Sequence, residues 1–136
     1  MSWTRETWRK ELASNLFELG NIALQQDLWL AKIPGYQSDF TEAINNLDSC
    51  GVPQSLDEFV SKGFITTVAA SRLKSLDSLM EQTGEYLSKD DFEKLWKSVE
   101  WQKISDLALG IVKDFFDEEL KNAGIPLRDW IHKYPL

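Results

Sequence analysis

Apolar residues recur along the chain at intervals of three and four, the spacing of one helix face, and nowhere in sustained alternation. Trp8, Leu12, Leu16 and Leu19 form the first stripe. With Thr4 as N-cap and Glu6 in the first turn, they predict a helix from Thr4 to Leu19. Gly20-Asn21 reads as a stop and restart before a second helix, Ile22 to Ala31. Within it, Leu28-Trp29-Leu30 is also compatible with a short extended run. Ile33-Pro34-Gly35-Tyr36 is a loop, because proline disfavours helix at the residue before it and glycine permits a turn.

Asp39 and Glu42 have capping-box spacing and open a helix through Leu47, with Phe40, Ala43, Ile44 and Leu47 inward. Cys50-Gly51-Val52-Pro53 ends it. Ser55 and Glu58 repeat the box ahead of a short helix closed by Gly63. From Ile65 to Thr83 the stripe is Ile65, Val68, Ala69, Leu73, Leu76, Leu79 and Met80, with Gly84 in the C′ position. Ser88 with Asp91 caps the next helix, whose inner residues are Phe92, Leu95, Trp96 and Val99. The period continues through Trp101, Ile104, Leu107, Ala108, Ile111, Phe115 and Leu120, as one helix from Ser88 to Ala123 or as two with a kink near Trp101. Gly124-Ile125-Pro126 ends this region, and Leu127 to Leu136 forms a last short turn or helix with Trp130 and Ile131 available to dock. The fold class is all-α: a compact multi-helix bundle of about six helices, a single domain over residues 1–136.

Composition adds a heavy aromatic load. Six of the 136 residues are Trp. Trp8, Trp96 and Trp101 fall on inward positions, leaving Trp29 and Trp130 as the candidates for display. Cys50 has no partner for an internal disulfide, which suits a reducing cytoplasm, and it reads as a small semi-buried residue at a helix end. The charged N-terminus lacks the apolar segment of a signal peptide, and no apolar stretch reaches membrane-spanning length. A cytoplasmic location with no membrane partner is the expectation.

Charge changes the picture most. The net charge is −7, and residues 11–58 alone carry Glu11, Glu18, Asp27, Asp39, Glu42, Asp48, Asp57 and Glu58 against Lys32. Such a surface repels nucleic acid, whose binding needs clustered Lys and Arg, and it attracts a basic protein. The candidate partner-binding set is Asp27, Asp39, Glu42, Asp48, Asp57 and Glu58, with Trp29 and Tyr36 as anchors. Glu81, outside this stretch, serves as a reference position.

Catalytic chemistry finds little to stand on. The lone His132 lies near the C-terminus, where a positioned base is rarely held, and reads as a surface histidine. One Cys and one His cannot close a zinc site, and no nucleotide-binding or calcium-loop motif occurs, so no cofactor is expected. The alternative metal-binding reading uses two i, i+3 carboxylate couples, Asp90 with Glu93 and Asp114 with Asp117. Their layout resembles the carboxylate motifs of all-helical nucleoside-triphosphate pyrophosphohydrolases, which implies a Mg-dependent enzyme. That family uses mostly Glu, whereas three of these four residues are Asp. The same acids also fit first-turn and solvated-face positions.

In overall character, including Trp8-Arg9-Lys10-Glu11-Leu12 and Gln25-Gln26-Asp27-Leu28-Trp29, the chain resembles bacterial immunity proteins. The resemblance implies a non-enzymatic protein that covers and neutralises a basic toxin domain. A helical adaptor or subunit of a complex is a further alternative.

Overall fold

The computed structural model describes residues 3–84, 91–134 and 136. Among the described residues there are nine helices and no strand. They are α1 (Arg5–Gly20), α2 (Ile22–Trp29), α3 (Phe40–Ser49), α4 (Leu56–Ser61), α5 (Thr67–Thr83), α6 (Phe92–Lys97), α7 (Val99–Phe115), α8 (Asp117–Lys121) and α9 (Leu127–Lys133). The count exceeds the expected six or so because the long C-terminal period is cut twice. Ser98 leaves the helix with extended backbone and caps α7 by accepting from the Trp101 N–H. The second cut falls at Phe116, which ends α7 and starts α8. None of the described helices is long and apolar enough to cross a membrane.

α1 is the central element. It packs most extensively on α7 and also meets α2, α3 and α8, while α5 packs on α7 and α4. Every residue from Asn15 to Gly20 is buried, so the last turn of α1 is enclosed all round rather than along one stripe. Gly20 permits the close approach. A Cβ there would meet the backbone N and Cα of Leu109 in α7 at 2.7 and 2.9 Å.

Local capping signals act largely as expected. Thr4 and Asp39 accept from the N–H groups of Thr7 and Glu42, whereas Asp91, expected inside the helix behind Ser88, is itself the N-cap and accepts from the Lys94 N–H. Ser55 differs: its side chain makes no cap bond to α4. Gly84 stays in the right-handed region, so it does not serve as a left-handed C′ residue. Ser88 lies outside the described residues.

The second helix ends two residues earlier than its sequence suggests. Ala31 adopts φ 56°, and the Lys32 N–H donates to the Asp27 carbonyl at 2.8 Å, the closing bond of a Schellman turn. A left-handed non-glycine residue carries about 1–2 kcal/mol of steric cost, of which glycine's greater freedom in the unfolded chain offsets about half. Ala31→Gly is therefore expected to stabilise the protein by about 0.5 kcal/mol. Urea denaturation with an unchanged slope is the measurement, and any loss of stability refutes it.

Three apolar positions face the wrong way for the stripe reading. Val68 and Val99 are 62% and 60% exposed, and Phe116 rather than Phe115 is fully buried. The breaks explain two of them. Val99 is the first residue of a new helix whose phase Ser98 resets, and Phe116 turns inward at the next interruption. Val68 sits in the first turn of α5, behind the Thr66 cap.

Candidate functional site

The tryptophans are structural. Trp29 and Trp130, expected at the surface, are only 5% and 9% exposed. Trp29 packs at tilted and edge-on angles among Trp96, Trp101, Phe92 and Phe40, with Trp29–Phe92 and Phe40–Trp101 centroids 5.3 Å apart. Its N–H donates to the Glu18 carboxylate at 3.1 Å, and the Ser38 hydroxyl donates to the same oxygen at 2.9 Å. Burial pushes the Glu18 carboxyl up, against the lowering effect of these two bonds. Glu18 thus belongs to the core and leaves the surface charge count. Trp29 cannot anchor a partner, and Tyr36 leans edge-on against Trp130 while remaining 40% exposed.

The surface acids divide into two groups. Asp57 is held by Lys74 at 2.7 Å and Glu58 by Lys62 at 2.9 Å. Asp27 accepts from the Tyr134 hydroxyl, and Lys133 stands 3.6 Å away. The tyrosine bond, with help from that lysine, holds the Asp27 carboxyl below its usual range. Asp27 and Asp57 thus join separate elements, and Glu58 makes a local i, i+4 pair.

Asp39, Glu42 and Asp48 differ: all are exposed, and none makes an ion pair among the described residues. Their placement follows from α3, which buries Phe40, Ala43 and Leu47 and so turns the intervening polar residues to solvent. Asp39 is occupied as the cap, 2.7 Å from the Glu42 N–H, and Asp48 accepts from Gln54 at 2.7 Å.

Two further acids come from α5. Asp77 is half-buried, and its carboxyl is raised first by burial and then by the negative charges of Glu81 and Asp48. Glu81, taken from the sequence as a reference position, therefore belongs to the same field. A signal for the pair was present, since Asp77 and Glu81 stand at i, i+4 with like charge. Lys74, three residues before Asp77, reaches Asp57 and leaves the pair without that cation.

Between α3 and α5 lies a cleft of about 510 Å³. Phe40, Ile44, Pro53 and Met80 supply apolar lining, with Asp77 and Glu81 alongside. No Lys or Arg lines it among the described residues.

The carboxylate couples of the metal-binding alternative are described in part. Asp114 and Asp117 straddle the break at Phe116, and they are engaged by Arg72 at 2.6 Å and Lys121 at 2.8 Å. Glu93 is exposed on α6, and Asp90 lies outside the described residues. No group of three or more His, Cys, Asp or Glu placed to hold a metal occurs among the described residues. His132 is exposed. Cys50 is 1% exposed rather than semi-buried, and burial pushes its thiol up to about 11, which disfavours the reactive thiolate.

Compared with known protein families, curated proteins and solved structures, the chain matches none.

Proposed function

We propose that this chain is an acidic binding protein that covers and neutralises a basic protein partner, in the manner of an immunity protein or inhibitor. The observation that carries the reading is the unneutralised face centred on α3, where Asp39, Glu42 and Asp48 stand exposed without ion pairs among the described residues. Exposed carboxylates without a cation of their own leave a negative potential that steers a cationic partner. The residues that carry the likeness to immunity proteins are largely internal. Trp8, Arg9, Leu12, Gln25, Leu28 and Trp29 are all buried. They offer no contact to a partner, so the interface is assigned from the charged face alone. A toxin domain is the partner to try first.

The test is capture of a partner on the immobilised protein at low ionic strength, followed by association kinetics. Glu42→Lys with Asp48→Lys is expected to slow association about tenfold and to flatten its salt dependence. Asp57→Lys with Glu58→Lys, whose carboxylates are already held by lysines, is expected to change it far less. Equal slowing by the two pairs, or a specific partner without net positive charge, overturns the proposal.

A further inference from the structure

The cleft between α3 and α5 combines two chemistries that select different parts of one ligand. Its apolar lining, Phe40, Ile44, Pro53 and Met80, favours an alkyl or aromatic group. Along the same cleft stand Asp77 and Glu81, with Asp48 close enough to act on the Asp77 carboxyl. A compact divalent cation is poorly served by such a lining, because Ca²⁺ and Mg²⁺ take oxygen on every side. An anionic or purely apolar ligand meets the wrong charge. What fits both parts is a long side chain with an apolar stem and a cationic head, as lysine and arginine present when they pack along apolar surface.

We propose that this cleft seats a lysine or arginine side chain of the basic partner, its stem along Phe40, Ile44, Pro53 and Met80 and its head between Asp77 and Glu81. The inference rests on the reading of the chain as a binder of a basic protein, and gives that partner its anchor. The volume suits the role. At about 510 Å³ it lies within the roughly 300–1,000 Å³ of pockets that take small ligands, so an anchor side chain and its flanking backbone are accommodated. Charge works in the same direction. Burial and then the negative charges of Glu81 and Asp48 disfavour the half-buried Asp77 carboxylate, and an arriving cation offsets that. Arginine is, with Trp and Tyr, among the residues that dominate binding energy when seated in a pocket at the centre of an interface. The exposed acids Asp39 and Glu42 on α3 then steer approach, and the cleft holds what arrives.

Hexylguanidinium, which joins an alkyl stem to a cationic head, probes the cleft without a partner in hand. Amide shifts are read by heteronuclear NMR on the intact chain. Titration is expected to shift residues 40–47 and 76–81 with millimolar affinity, the range small ligands of this size reach. Hexanoate has a comparable stem and the opposite charge, guanidinium ion has the head without the stem, and neither is expected to shift them. Asp77→Asn with Glu81→Gln removes repulsion and keeps side-chain size, so the fold is retained, and binding is expected to weaken at least about fivefold. Equal shifts from hexanoate or from guanidinium ion, or unchanged affinity in the double variant, overturn the anchor. If the probe misses the cleft while Glu42→Lys with Asp48→Lys still slows partner association, the anchor is wrong and the partner reading stands. If the probe binds and no basic partner exists, the cleft's preference for an alkyl cation stands, and the partner reading is wrong together with the anchor role built on it.

Discussion

Gln25→Leu is expected to cost about 4 kcal/mol of folding stability, although leucine matches glutamine closely in size. Gln25 is fully buried on α2. Its amide oxygen accepts from the indole N–H of Trp96 at 3.1 Å and of Trp101 at 2.9 Å. Its amide nitrogen donates to the carbonyls of Glu18 and Leu19, each at 2.9 Å. Two lone pairs and two N–H groups are the whole capacity of the side chain, and all four are used. Leucine leaves two indole donors and two carbonyls inside the protein without these partners, and each orphaned group costs about 1–3 kcal/mol. The Glu18 carbonyl keeps a long 3.4 Å bond from the Asn21 N–H, which places the sum below the upper limit. Urea denaturation measures it. A loss under about 1 kcal/mol shows that water enters and replaces the amide, and the linchpin role is then wrong.

That amide also explains how a small domain accommodates so many tryptophans. Trp8 donates to the Cys50 carbonyl at 2.8 Å, Trp29 to Glu18, and Trp96 and Trp101 to Gln25. A buried indole needs an acceptor, and the chain provides four such bonds from residues eleven to seventy-six positions away. Sequence reading assigned Trp29 to the surface because its acceptor leaves no local trace. Glu18, on the enclosed end of α1, looks like any other solvated acid in the chain. By contrast, features set within a few residues were legible: the caps at Thr4 and Asp39, the break at Gly20-Asn21, and the buried run Trp101, Ile104, Ala108 and Ile111 of α7.

The binding face divides along the same line. Asp39, Glu42 and Asp48 were legible because the inward stripe of α3 dictates which residues face out. The loss of Asp27 to Tyr134 and of Asp57 to Lys74 was hidden, since each pairing joins elements distant in sequence. The contribution of Asp77 and Glu81 was hidden too, because only the packed helices set α5 acids beside an α3 acid. Net charge per segment therefore overstates the usable surface in one place and misses it in another.

The second large effect is expected at Arg9, one of the few basic residues in the acidic first half of the chain. Its guanidinium is buried where α1 meets α7 and α8, donating to the Phe64 carbonyl at 2.9 Å, to the Phe115 carbonyl and to Glu119 at 2.8 Å. It also lies over the Phe116 ring, 4.5 Å from the centroid. The Phe115 carbonyl belongs to the last residue of α7, so a cation there meets the negative end of the helix dipole. Arg9 and Glu119 side chains are each only 11% exposed, and solvent screens the pair weakly. Arg9→Met keeps an apolar stem, removes the charge and leaves the Glu119 carboxylate and two carbonyls without their donor. The expected loss is about 3–5 kcal/mol, the usual result of breaking one side of a buried pair. Adding Glu119→Leu removes the stranded carboxylate, so Arg9→Met/Glu119→Leu is expected to be more stable than Arg9→Met alone. Hydrogen exchange supplies a local readout, because α8 loses its attachment to α1 and its amides exchange faster in Arg9→Met. Strict additivity in the double-mutant cycle, or a loss at Arg9→Met below about 1 kcal/mol, would falsify the claim that this ion pair fastens the C-terminal helices to α1.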